Sequence, residues 1–192
     1  MEKNTKEEIS STVLNKEFFE IIKSSKKIND KTKKMNELIE FFNKSNNNIE
    51  LPEIKSQIPE LYSLLLINLN ENNNNYVLAQ MELIKAIGKS QHKEENFNNF
   101  VNQSLPKLFD KFYLGNPKIN NTLIEMFNNF ISLKILTIKD YYQYIENIPL
   151  EEEDNYRNNI INFLYDNINK DDTILLSNIP KSLNEIIKKL IT

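Results

Sequence analysis

Residues 105–131 constrain the fold more than any other stretch of this chain. Leu105, Leu108, Phe109 and Phe112 recur at the spacing that puts four apolar side chains on one helical face. Leu114-Gly115-Asn116-Pro117 then supplies residues suited to stopping one helix and starting another. Gly115 accepts a left-handed cap, and Asn116 accepts from the free N–H groups of the new helix. Pro117 carries the fixed φ of a first helical position. Beyond it, Ile119, Leu123, Met126, Phe127 and Phe130 share one face. Two amphipathic helices joined by so short a turn fold back antiparallel, and neither buries its stripe without neighbours.

The pair recurs along the chain. Leu14, Phe18, Ile21 and Ile22 face inward from a first helix, and Met35, Leu38, Ile39 and Phe42 from a second, which Asp30 is expected to cap. A loop over residues 46–57 follows. Pro59 is expected to open a helix carrying Leu61, Leu64, Leu65 and Leu69, which an asparagine tract ends. Val77, Met81, Ile84 and Ile87 form the face of its partner, closed near Gly88. After the central pair, Thr137 caps a helix bearing Ile138, Tyr141, Tyr142 and Ile145, and Asp154 caps one bearing Tyr156, Ile160, Phe163, Leu164 and Ile168. The pairs cover roughly 13–45, 58–89, 97–132 and 137–169, with a final helix over 178–191.

Second helices therefore begin at Asp30, Asn74, Asn116 and Asp154, at intervals of 44, 42 and 38 residues. Helix pairs at such a period are the pattern of HEAT and armadillo arrays. The expected fold is all-α, a HEAT/armadillo-like α-solenoid of antiparallel helix pairs forming one repeat domain across 1–192. A four-helix bundle with added helices is the structural alternative.

Composition narrows function by exclusion. Two glycines among 192 residues leave almost nothing for hairpin turns or phosphate-cradling loops. The absence of cysteine excludes disulfide frameworks, thiolate zinc sites and cysteine nucleophiles. A net charge of -3 supplies no general attraction to nucleic acid or anionic membrane. No apolar run approaches the ~20 residues needed to span a bilayer, and the first residues lack the apolar core of a signal peptide. An intracellular chain with no cofactor is expected.

The singled-out residues are candidates for partner contact, not for chemistry. Lys26, Lys27, Lys31, Lys33 and Lys34 cluster around the first turn, with Lys23 beside them. They form a patch for an acidic partner, a basic import signal, or simply a solvated helix end. Glu151, Glu152 and Glu153 precede Asp154, where a helix N-terminus favours one or two carboxylates and leaves the others for a basic partner. Of Tyr141, Tyr142 and Tyr144, one ring is expected outside the core. His92, the single histidine, reads as a solvated loop residue, since a metal site or triad needs company that is missing. No phosphate loop, nucleophile elbow or paired acid and base is present, so no enzyme is expected.

The second half resembles a known family. Glu152-Glu153-Asp154 followed by Asn155-Tyr156-Arg157-Asn158-Asn159-Ile160-Ile161-Asn162-Phe163-Leu164 is similar to the acidic, x-x-Arg, Ile-x-Phe-Leu helix in the N-terminal repeats of the apoptosis inhibitor 5 family. Residues 171–190 resemble that family's following helix. Ile58-Pro59-Glu60-Leu61 and residues 76–88 sit at spacing similar to its earlier repeats. The resemblance implies a non-enzymatic nuclear scaffold that binds other proteins and restrains cell death. Leu114-Gly115-Asn116-Pro117-Lys118 resembles instead an intra-pair turn of the tubulin-binding TOG domains, with Lys118 as a contact beside the first lysine cluster. That second resemblance implies tubulin as partner and a cytoplasmic location. Either way the expected partners are proteins, with the chain acting as a monomer.

Overall fold

The structure is a computed structural model and describes residues 14–44, 52–137 and 140–141. Among them it is all helical, with six α-helices and no strand. We label these α1 (Lys16–Ser24), α2 (Ile28–Lys44), α3 (Pro52–Asn68), α4 (Asn74–Gln91), α5 (Glu95–Asp110) and α6 (Pro117–Ser132), with a 3-10 turn (Lys111–Leu114) between the last two. The chain divides into two compact units, Met1–Met126 and Phe127–Thr192.

In the first unit α1 packs on α2 and on α3, α3 packs on α5, and the most extensive contact joins α2 to α4. An ion pair between Lys85 and Glu125 at 3.0 Å ties α4 to α6. First helices of successive pairs thus neighbour one another, and so do second helices. This alternation is compatible with a helical repeat.

The stripes expected from the periodicity make the core. Leu61, Leu64, Leu65 and Leu69 are buried, as are Val77, Met81, Ile84 and Ile87 on α4. So are Leu105, Leu108, Phe109 and Phe112, and Ile119, Leu123 and Met126 on α6. Ile21 and Ile39 are only half-buried, and Phe19 and Phe41 take the inward positions beside them. Helix α4 is enclosed on more than one face, because Tyr76, Ala79, Gln80, Leu83 and Ala86 are buried as well.

Four boundaries differ from the expectation. Pro52, not Pro59, opens α3, and Pro59 lies inside it on the exposed side. There the carbonyl four residues back, on exposed Lys55, meets solvent in place of a missing N–H. Helix α2 starts at Ile28, which leaves Asp30 in the first turn, where its charge still suits the helix N-terminus. The cap of α4 is Asn73, accepting from the Tyr76 N–H at 3.2 Å. Gly88 does not end that helix, which continues to Gln91 around a buried glycine. Tertiary packing there overrides a propensity cost of about 1 kcal/mol. The expected cap at Asn116 is present, whereas at Thr137 the side chain acts as a donor to Asp140. Asn116 Oδ1 accepts from the Lys118 N–H at 2.9 Å, and Thr137 donates its N–H and hydroxyl to Asp140 Oδ2 at 2.7 and 2.8 Å.

In the second unit, Ile135 N–H donates to the Phe130 carbonyl at 2.9 Å and Lys134 N–H to that of Ile131 at 3.0 Å. This pair of bonds is a Schellman closure of α6, with Lys134 in the left-handed conformation at φ 58°. Phe127, Phe130 and Tyr141 are buried, and the Phe127 and Tyr141 rings lie 5.1 Å apart. Tyr142, Tyr144, the capping role of Asp154 and the helices expected over 142–169 and 178–191 lie outside the described residues.

Candidate interaction edge

Three tight turns join the helices of each pair in the first unit. In the α1–α2 turn, Ser25 N–H donates to the Ile21 carbonyl at 3.0 Å, and its hydroxyl oxygen accepts from the Lys27 N–H at 3.1 Å. Lys26 and Lys27 are thereby held exposed at the tip. In the α5–α6 turn, Gly115 adopts φ 61° and Asn116 caps α6, so Lys118 projects from the exposed first turn.

The α3–α4 turn is held from its neighbours. Its N–H groups on Leu69, Asn70 and Glu71 take the carbonyls of Leu65, Ile67 and Asn68. Leu66 is skipped, and Lys107 of α5 supplies its donor at 2.6 Å. One turn on, Lys111 Nζ donates to the Glu71 carbonyl at 2.8 Å and to Asn72 Oδ1 at 2.9 Å. Lys111 is buried, and desolvation lowers its pKa against the partly opposing pull of Asp110 and Glu71. On the other flank, the Tyr76 hydroxyl donates to Asn68 Oδ1 at 3.0 Å while Asn68 Nδ2 donates to the Leu64 carbonyl at 2.8 Å. Burial first, and Glu71 second, push the Tyr76 hydroxyl above its usual range, so it stays protonated and able to donate.

Two open clefts flank this middle turn. The first, of about 530 Å³, lies between α1 and α3 and is lined by Ile22, Lys23, Lys31, Leu64, Ile67 and Glu71. The second, of about 410 Å³, is lined by Leu69, Asn72, Lys107, Asp110, Lys111 and Leu114. Asn70 belongs to both, so the clefts adjoin.

The expected contact residues divide accordingly. Lys26, Lys27, Lys33 and Lys118 are exposed. Lys34 is half-buried and pairs with Glu37 at 3.0 Å and Glu17 at 3.9 Å. Lys31 does not join an exposed patch. It is buried, with its ammonium 5.9 Å from the Tyr76 ring centroid, and it faces the first cleft. Glu151, Glu152 and Glu153 lie outside the described residues. His92 sits half-buried in the turn after α4.

Sequence reasoning missed Lys107, Lys111 and Ile67. A signal for Ile67 is legible: Leu64-Leu65-Leu66-Ile67 is a run of four apolar residues, and no helix turns all four inward. For the lysines the signal is that the last turn of α3 carries no cation of its own to answer its carbonyls.

Among the described residues no group of three or more His, Asp or Glu is placed to hold a metal ion, and no helix is long and apolar enough to cross a membrane. No protein-family model, curated protein or solved structure matches the chain.

Proposed function

We propose that this chain is a non-enzymatic, HEAT-like helical-repeat scaffold that binds other proteins through the edge built from its intra-pair turns. The observation that carries this reading is the pair of adjoining clefts along that edge, with lysines on their walls and exposed Lys26, Lys27 and Lys118 on flanking turns. The alternation of helix contacts, α1 to α3 to α5 and α2 to α4, supports a solenoid over a closed bundle. The resemblance to the apoptosis inhibitor 5 family adds a nuclear scaffold restraining cell death, and it rests chiefly on residues 152–164 and 171–190.

A TOG-like role in tubulin binding is the second reading. Exposed Lys118 in the α5–α6 turn and Lys26 and Lys27 in the α1–α2 turn favour it, since turn-borne cations suit an acidic surface. Co-sedimentation of the full chain with tubulin at low salt tests it against the first. Binding lost on changing Lys26, Lys27 and Lys118 to Glu supports the tubulin reading. No binding by the unmodified chain at concentrations on the order of 10 µM removes it. A protein partner recovered from the native cell and lost with the same triple change, but not tubulin, supports the scaffold reading. A recovered partner indifferent to the change moves the binding face off this edge.

A further inference from the structure

The first cleft holds a cation with no ion-pair partner among the described residues. Lys31 is 8% exposed, and its ammonium has the Tyr76 ring for a neighbour. No carboxylate among the described residues forms an ion pair with it. Lys23, on the same wall, is engaged by Glu60 at 2.5 Å. The stem of Lys31 is buried while its ammonium opens on the cleft beside the Tyr76 ring, so an anion entering the cleft can pair with it.

The second unusual feature lies in the same cleft. Ile67 is 63% exposed and is the one large hydrophobic residue so exposed among those described. It lines the same cleft as Lys31, so an exposed apolar side chain and a cation without an ion-pair partner among the described residues share one cavity. A volume of about 530 Å³ suits a few side chains and not a folded domain.

We propose that this cleft binds a peptide segment of a partner protein carrying one acidic side chain directly beside a large apolar one. The carboxylate pairs with Lys31, and the apolar side chain packs on the exposed Ile67. Glu71 on the wall repels a second carboxylate, which selects a single acid over an acidic run. Exposed Lys26 and Lys27, in the turn leading to Lys31, steer the acidic segment inward. This inference rests on the interaction reading of the same edge and names what the edge takes.

The test uses the full chain and short labelled peptides read by fluorescence anisotropy. One peptide places Asp-Leu in a Gly-Ser background; the others carry Asn-Leu, Asp-Ser or a run of Glu. The Asp-Leu peptide should bind, with Asn-Leu and Asp-Ser each weaker by about tenfold. Lys31→Met should erase the preference for Asp over Asn and keep that for Leu over Ser. Ile67→Ser should do the reverse. Selective loss of one preference separates a local effect from general unfolding, and the exposure of Ile67 makes its replacement safe for the fold. Absence of Asp-Leu binding up to about 1 mM overturns the proposal. So does equal or tighter binding of the Glu run, which signals unspecific attraction. Self-association abolished by Ile67→Ser would name a second copy as the occupant and overturn it likewise. A native partner lost with the Lys26, Lys27 and Lys118 change yet indifferent to Lys31→Met and Ile67→Ser would leave the interaction reading standing and remove this cleft from it.

Discussion

Lys107 Nζ donates to the Leu66 carbonyl at 2.6 Å across 41 residues of chain. The carbonyl belongs to the last turn of α3, where four acceptors lose their helical partners. Three other carbonyls of that turn find N–H groups in residues 69–71, and Leu66 would otherwise have none. The cation also opposes the negative end of the helix dipole. One lysine on α5 therefore completes the C-terminus of a helix in the preceding pair.

Lys107→Met keeps the stem and removes the donor. It should cost about 1–2 kcal/mol in urea unfolding, because a part-buried carbonyl loses a charge-assisted bond. Amide exchange should quicken over residues 67–73. Exposed Lys89 serves as comparison, where the same change should stay within about 0.5 kcal/mol.

Lys111 should leave a mark on the pH dependence of stability. Burial lowers its folded pKa below the unfolded value, so in the window between the two the unfolded chain binds more protons. Stability contributed by this group therefore rises with pH through that alkaline window. The buried tyrosines act oppositely: Tyr62, Tyr76 and Tyr141 have raised pKa values, and their contribution is lost as pH climbs past 10. A comparison with Lys111→Met cancels the tyrosines. The unmodified chain should gain stability on the variant as pH is raised toward about 10.5, and a constant difference would contradict the assignment.

Periodicity made the core legible and left the turns' supports obscure. Leu105, Leu108, Ile119 and Met126 announce their burial by spacing alone, because each helix is held by its own stripe. Gly115 and Asn116 were equally readable, since the turn needs a left-handed residue and a cap at adjacent positions. Lys31 and Lys107 were not, because their roles depend on a ring or a carbonyl brought close only by folding. Pro59 misled for a related reason. A proline announces a helix start only when it lies on no tolerant face, and exposure is a tertiary property.

The two left-handed residues should respond in opposite directions. At Gly115, φ 61°, an added Cβ meets nothing within 4 Å, so Gly115→Ala carries only the backbone penalty of about 1 kcal/mol. Lys134 already pays that penalty at φ 58°, in the Schellman closure of α6. Lys134→Gly should therefore stabilise by roughly 0.5–1 kcal/mol. Thermal unfolding of both variants checks the pair, and a loss at Lys134 would mean its side chain outweighs the strain.

Pro59 offers a route to a more stable chain. It lies inside α3, and the ring removes the N–H that would bond the Lys55 carbonyl. Pro106 does the same inside α5 toward Asn102. In both cases the proline and the residue four positions earlier are exposed, so water answers the carbonyl and the cost falls below the ~3 kcal/mol of an interior proline. Replacement by alanine restores the bond but returns conformational freedom to the unfolded chain, worth about 0.4–1 kcal/mol in the other direction. The balance favours Pro59→Ala by on the order of 1 kcal/mol. Its urea midpoint should rise with no change in the slope of the transition. A lower midpoint would show that the restraint Pro59 places on the unfolded chain outweighs the restored hydrogen bond, and Pro106→Ala would then be expected to lower stability in the same way.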